Sequence, residues 1–112
     1  MTRNVQSAFN FLFEGVKCNL RIQTQNGRGS PIPCKLTLKK DIRCLKFSEN
    51  QTAKEHLVRL RPERVGDLRQ VEIREKQYMV IINQKYFASF MCPLFAQLTY
   101  YCCQLITKFM VE

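Results

Sequence analysis

The clearest structural pattern in the chain runs from residue 16 to residue 23 and reads Val16-Lys17-Cys18-Asn19-Leu20-Arg21-Ile22-Gln23. Apolar side chains take every second position, and polar or cationic side chains take the positions between them. Successive side chains of a β-strand point to opposite faces, so this alternation predicts a strand with one buried and one exposed face. Residues 25–31 are rich in Gln, Asn, Gly, Ser and Pro, which predicts a loop after this strand.

The same two-residue period returns further along the chain. Residues 34–39 place Cys or Leu at even positions and Lys or Thr at odd positions, which predicts a second strand. Further strands are predicted at residues 42–47, 56–61, 68–73, 78–82 and 85–91, with Asn83-Gln84 as a tight hairpin turn between the last two.

The character of the chain changes at Pro93, which suits the first turn of a helix. Six apolar residues follow at spacings of four, three, one, three and four, and they predict one buried stripe on a helix that ends near Val111: Leu94, Leu98, Tyr101, Cys102, Leu105 and Phe109. The predicted fold is mostly β, of the α+β class. Residues 13–112 form about seven antiparallel strands in an open barrel or sandwich capped by a C-terminal helix, and residues 1–12 form an N-terminal arm or short helix.

The composition indicates one globular domain with an unusual charge. The chain has 112 residues, of which 46% are hydrophobic. Its 18 Lys and Arg against nine Asp and Glu leave a net charge of +9. A domain this basic attracts nucleic acid, anionic lipid or an acidic protein surface, although an excess scattered for solubility is the alternative.

The remaining composition argues against secretion and against catalysis. Six cysteines fall among apolar positions, where a free thiol behaves as a small hydrophobe, and no signal peptide or membrane-spanning run is visible. We therefore expect a cytoplasmic or nuclear protein, with peripheral membrane association. The single histidine, His56, falls on a predicted strand, which favours a surface or hydrogen-bonded residue over a catalytic base, and Asp41 and Asp67 fall in predicted turns. We expect no enzyme, no cofactor and no metal.

Several segments resemble those of pleckstrin-homology-like domains. Gly15 to Arg21 resembles the first strand of that family, and Lys35 to Phe47 resembles its second strand, turn and third strand. Asp67 to Ile73 is similar to a strand of phospholipase C pleckstrin-homology domains, and Tyr78 to Ile82 to the strand before the final hairpin. Tyr101 stands where the family has a tryptophan in its last helix. The resemblance implies a non-catalytic interaction module.

The resemblance also implies a phosphoinositide-type headgroup site on the basic face of the first two strands. The residues that match this expectation are Lys17, Arg21, Arg28, Lys35, Lys39 and Lys40. Thr37 stands where the family pattern has a second cation, which favours general attraction to anionic membrane over stereospecific headgroup recognition.

Two alternative partners are predicted from other residues. A second basic group could bind RNA and consists of Arg59, Arg61, Arg64 and Arg69, although no aromatic residues interleave with these arginines to stack bases. The weakly charged side of the last helix predicts a protein–protein adaptor or assembly surface, which is built from Tyr100, Cys103 and Val111 or from a sheet edge. Loss of binding at high salt separates the electrostatic partners from the apolar one.

Overall fold

The computed structural model describes residues 3–41, 43–61 and 68–110. In this part of the chain, two helices cover one face of an antiparallel sheet. The elements in chain order are α1 (Arg3–Glu14), β1 (Val16–Thr24), β2 (Gly27–Arg28), β3 (Ile32–Leu38), β4 (Cys44–Glu49), β5 (Glu55–Arg59), β6 (Arg69–Glu72), β7 (Tyr78–Ile82), β8 (Tyr86–Phe90) and α2 (Pro93–Met110). The predicted fold class, a mostly β domain with a C-terminal helix, is confirmed.

The main sheet has the strand order β5-β4-β3-β1-β8-β7-β6, and β2 pairs with the end of β1. Every pairing is antiparallel. The first strand therefore lies at the centre and joins β3 to β8. The sheet curls so that the side chain of Asn83, in the β7–β8 turn, donates a hydrogen bond of 3.3 Å to the carbonyl of Arg59 at the end of edge strand β5.

In β1, buried and exposed side chains alternate, as the sequence predicts. Val16, Cys18 and Leu20 are buried, and Lys17 and Arg21 are exposed. The helices cover the buried side, which we call the inner face, and the opposite side is the outer face. The largest fully buried side chains of the core on the inner face include Phe9, Phe47, Phe90, Leu12, Leu20, Leu36 and Ile82. Burial of one such side chain contributes about 1.5–3 kcal/mol.

Residues 3–14 form a helix rather than an extended arm. Ala8, Phe9 and Leu12 follow helical spacing and are buried, so α1 belongs to the main core. The helix ends at Gly15, whose φ of +102° lies in the region that favours glycine and whose N–H donates to the carbonyl of Phe11 at 3.3 Å.

Helix α2 has the predicted length, but its buried side is different. The buried residues are Ala96, Thr99, Cys102, Cys103, Ile106 and Thr107. Leu94 is 53% exposed and Tyr101 is 40% exposed, so their predicted place in the buried stripe is wrong. The hydroxyls of Thr99 and Thr107 donate to the carbonyls of Phe95 and Gln104 at 2.8 and 2.9 Å, which lets two polar side chains lie in the core.

Candidate functional site

The strongest candidate site is a row of lysines on the outer face, where β1 and β3 run side by side. Lys17 and Lys35 are direct partners in the β1–β3 register, and both are exposed. The stem of Lys35 extends over Gly15, where an added Cβ would collide with its Cε atom. Lys39 follows the end of β3, and Lys40 lies in the next turn. We call Lys17, Lys35, Lys39 and Lys40 the lysine row.

The two arginines of the predicted site differ from the lysine row in their contacts. Arg21 is four residues further along β1 than Lys17, about 13 Å away at the usual rise per residue, and Lys39 is equally far from Lys35 in the opposite direction. Its Nη1 donates to the carbonyl of Gly29 at 3.4 Å. The guanidinium of Arg28 lies 3.7 Å from the ring centroid of Phe87, which is the β8 partner of Arg21. The structure therefore divides the six predicted residues into the lysine row and an arginine pair.

The lysine row has no counter-ion in the part of the chain that the structure describes. Two ion pairs occur in residues 3–41, 43–61 and 68–110. Lys46 lies 3.8 Å from Glu55, and His56 lies 2.7 Å from Glu49. Like charges directly opposite each other in a sheet destabilise it, so Lys17 facing Lys35 is a cost that an anionic partner would remove.

The His56–Glu49 pair lies on the inner side of β4 and β5. The hydrogen bond from His56 lowers the pKa of the Glu49 carboxyl, and the hydroxyl of Thr52 lowers it further with a bond of 3.3 Å. His56 is therefore hydrogen-bonded within the sheet.

Two of the four arginines in the second basic group line one cleft. Arg59 and Arg61 line a cleft together with Asn83 and Lys85 from the β7–β8 turn. Arg69 lies on edge strand β6 opposite Ile81, and it does not line this cleft. Arg64 lies outside the described residues. Sequence reasoning did not associate Lys85 with the arginines, because no local pattern links two segments that meet only through the curl of the sheet.

The predicted partner surface on α2 needs correction. Cys103 is fully buried against the core, so the prediction that it faces a partner is wrong. Tyr100 is half-buried, and its hydroxyl accepts a hydrogen bond of 2.8 Å from Gln104. Val111 and the side chain of Phe109 lie outside the described residues.

The predicted buried stripe of α2 is confirmed in part. Cys102 is fully buried and Leu98 and Leu105 pack against the core, whereas Leu94 and Tyr101 face outward. Leu94 and Tyr101 are exposed, and Leu98 and Leu105 between and beyond them are half-buried. Their spacing of four, three and four residues places them on one side of the helix.

The thiols offer no nucleophile in the core. Burial raises the pKa of Cys18 and of Cys102 to about 12, and burial together with the charge of Glu49 raises that of Cys34 to about 11. Burial also raises the pKa of Cys103. These groups stay protonated at neutral pH and pack as small apolar side chains. Within the described residues, no three His, Cys, Asp or Glu side chains are grouped to hold a metal.

Comparisons with known proteins extend the fold assignment. No family model matches the sequence, and a search of curated proteins also finds no match. Among solved structures, the chain is similar to inner membrane complex sub-compartment protein 3 from Toxoplasma gondii, with 13% identity and a TM-score of 0.60. The match covers 100% of this chain and 90% of that one.

The similarity concerns the fold alone, because the identity is low. The Toxoplasma protein has a pleckstrin-homology-like fold, so the chain has the curled sheet and closing helix of this class. Neither helix in the described part of the chain is both long and apolar enough to span a membrane.

Proposed function

We propose that the protein is a non-catalytic interaction module that binds anionic membrane surfaces through the outer face of β1 and β3. The observation that carries this proposal is the direct pairing of Lys17 with Lys35, both exposed and without an acidic partner among the described residues. Lys39 and Lys40 extend the positive surface, and Arg21 and Arg28 continue it toward β8. Anionic lipid supplies the missing counter-charge.

The arrangement supports attraction to a charged surface more than a fitted headgroup pocket. The cations lie along a strand face rather than converging on a point, since Lys17 and Arg21 are about 13 Å apart. Near an anionic surface, each Lys or Arg contributes about 1 kcal/mol to binding. The similar Toxoplasma protein is described as a component of a membrane complex, which is consistent with this proposal.

The test is co-sedimentation with vesicles of phosphatidylcholine alone and of phosphatidylcholine with phosphatidylserine or a phosphoinositide, at low and physiological salt. Replacing Lys17, Arg21 and Lys35 together by Gln removes about 3 kcal/mol, so partitioning falls more than a hundredfold. The matched control replaces Lys54, Arg74 and Lys76 by Gln. These three exposed residues lie in loops and carry the same total charge. Equal loss in both variants contradicts a defined site, as does retained binding in the first.

A second candidate function is supported by the outward stripe of α2. Leu94 and Tyr101 expose large apolar surface on one side of the helix, two turns apart, a spacing that suits the packing of one helix against another. The corresponding function is an adaptor that binds an amphipathic helix of a partner protein. Such a complex persists at high salt, whereas membrane attraction through lysines weakens. Loss of binding to a captured partner in a Leu94→Ser/Tyr101→Ser variant, with vesicle binding unchanged, would favour this function.

A further inference from the structure

A polar cleft lies between edge strand β5 and the β7–β8 turn. Its residue Arg59 is the register partner of Cys44, whose carbonyl accepts a hydrogen bond from the N–H of Lys39 at the end of the lysine row. The volume of the cleft is about 410 Å³, which is within the range of small-molecule sites. Arg59 and Arg61 line one side, and Asn83 and Lys85 line the other. The cleft therefore brings three cations together from two segments that are distant in the sequence.

The side formed by the turn is held in place by hydrogen bonds. The side chain of Asn83 donates to the carbonyl of Arg59 at 3.3 Å, which ties the turn to β5. The N–H of Lys85 donates to the carbonyl of Ile82 at 3.2 Å, and its carbonyl accepts a bond of 2.8 Å from the N–H of Gln23. The backbone of Lys85 is therefore fixed from both directions, so a ligand does not have to order the backbone of the turn.

The side chain of Lys85 is also directed by a neighbour. Its Nζ lies 5.5 Å from the ring centroid of Tyr86, within cation–π range. The ring of Tyr86 stacks on that of Phe47, with centroids 6.5 Å apart, so it has a rigid support. Together, Tyr86 and the buried Val58 give the cleft an apolar side beneath the charged groups.

No acidic residue of the described ranges lines the cleft. Glu55, the acidic residue on β5, lies at the other end of that strand and pairs with Lys46. Arg59, Arg61 and Lys85 thus present three positive charges to one space. Guanidinium groups offer paired N–H donors that match the oxygens of a phosphate, and an ammonium adds a further donor.

We propose that this cleft binds the phosphomonoester group of a small phosphorylated molecule, either free in solution or as the headgroup of a phospholipid. A phosphomonoester carries close to two negative charges at neutral pH and three acceptor oxygens, which suits three cations. The proposal is independent of the lysine row, because the two sites share no residue.

The first test is an NMR titration with glycerol phosphate as the probe, in about 150 mM salt to screen weak surface attraction. Saturable shifts of the amides of residues 57–61 and 83–86 are expected. Methyl sulfate is a monoanion of similar shape, and we expect it to bind at least tenfold more weakly. Equal affinity for the two probes, or shifts spread over the whole basic surface, would overturn the proposal.

Variants define the site. Arg59→Gln combined with Lys85→Met is expected to weaken glycerol phosphate binding at least tenfold, whereas the charge-matched pair Arg74→Gln/Lys76→Gln stays within twofold of the parent. Arg61→Gln alone provides a milder variant, because Arg61 follows the end of β5 and is exposed. A several-fold loss is expected from it, with unchanged circular dichroism. Parent-like binding by Arg61→Gln and by the double variant would overturn the assignment.

Binding to vesicles of defined lipid composition distinguishes a phospholipid headgroup from a soluble phosphate. Phosphatidic acid presents a phosphomonoester at the bilayer surface, whereas phosphatidylserine presents a phosphodiester. A preference for phosphatidic acid that disappears in the Arg59→Gln/Lys85→Met variant assigns the site to a lipid. Binding of glycerol phosphate without that preference assigns it to a soluble metabolite. The Lys17→Gln/Lys35→Gln variant is expected to keep glycerol phosphate binding, so failure of the membrane proposal and failure of this one are distinguishable.

Discussion

The outer face of the sheet consists of two halves that differ in chemistry. On β1, β3 and β4, its side chains are exposed or half-buried and mostly polar, and they include Lys17, Lys35 and Lys46. On β6, β7 and β8, they form an apolar cluster that contains Val71, Ile73, Met79, Ile81 and Phe87. We call these the cationic half and the apolar half. One face of the sheet therefore carries exposed cations on some strands and a second, small hydrophobic cluster on the others.

The two halves meet where β1 pairs with β8. Arg21 is the register partner of Phe87, and Arg28 covers the ring of Phe87 at 3.7 Å. Phe87 is 6% exposed although it lies on the face away from the helices. The arginine pair therefore belongs to the boundary and helps to cover apolar surface, whereas the lysine row remains unpaired in the described structure. The arginines therefore pack against apolar side chains as well as adding positive charge to the outer face, whereas the described lysines of the lysine row add charge alone.

The largest expected effect separates the two halves by stability. Phe87→Ala removes the centre of the apolar cluster and is expected to lower the free energy of unfolding by about 3–5 kcal/mol. Leu57→Ala is the matched control on the outer side of β5, where Leu57 is 55% exposed, and we expect a change within about 0.5 kcal/mol. Urea denaturation measures both. Similar losses in the two variants would show that the halves are packed alike.

The next effect concerns the inner face, where Glu49 on β4 and His56 on β5 are joined by a hydrogen bond of 2.7 Å. In the unfolded chain, Glu49 takes up a proton near the ordinary pKa of 4.5, whereas in the folded protein it does so at lower pH. The unfolded state therefore binds more protons between these two values, and stability falls as the pH drops through that window. Glu49→Gln is expected to flatten this acid limb, as measured by urea midpoints from pH 3 to 6 in about 0.1 M salt. If the urea midpoint of Glu49→Gln falls with pH as steeply as that of the parent, the Glu49–His56 pair does not contribute to stability.

The central strands could be predicted from the sequence because their signal is local. The period of two in β1 and β3 fixes which side chains are buried, so Lys17 and Lys35 were correctly assigned to one exposed face. The turn residues Asn83 and Gln84, both with φ of 56°, mark a hairpin that the sequence also predicts. The period does not predict contacts between strands, so the packing of Arg28 on the ring of Phe87 could not be foreseen from it.

The face of α2 was harder to predict because both sides of the helix are apolar. Leu94 and Tyr101 match a helical stripe as well as the buried Cys103 and Ile106 do. Small residues, Ala96 and Thr99, face the core, because close packing against the sheet favours low volume there. The cleft of Arg59 and Lys85 was beyond prediction for another reason. The contact that forms it joins Arg59 to Asn83, 24 residues away, through the curl of the sheet.

A smaller effect is expected at the boundary between the halves. Arg28→Ala removes the cation–π contact with Phe87 and is expected to cost about 0.5–1 kcal/mol, as found for exposed sites. Lys39→Ala removes the same charge from the lysine row and is expected to leave urea stability unchanged. A loss in Lys39→Ala as large as that in Arg28→Ala would argue that net charge, rather than the ring contact, explains the result.

The smallest effect has the opposite sign and tests the cationic half most directly. Lys17→Gln relieves the repulsion from Lys35 across the β1–β3 pair, so we expect a gain in stability of a few tenths, about 0.2–0.5 kcal/mol. The same substitution is expected to reduce vesicle binding about fivefold, at about 1 kcal/mol per cation. Urea denaturation checks the expected gain in stability, and vesicle co-sedimentation checks the expected loss of binding. A residue that lowers stability and raises binding is maintained for the partner, whereas a loss of stability in Lys17→Gln would show that the lysine supports the fold instead.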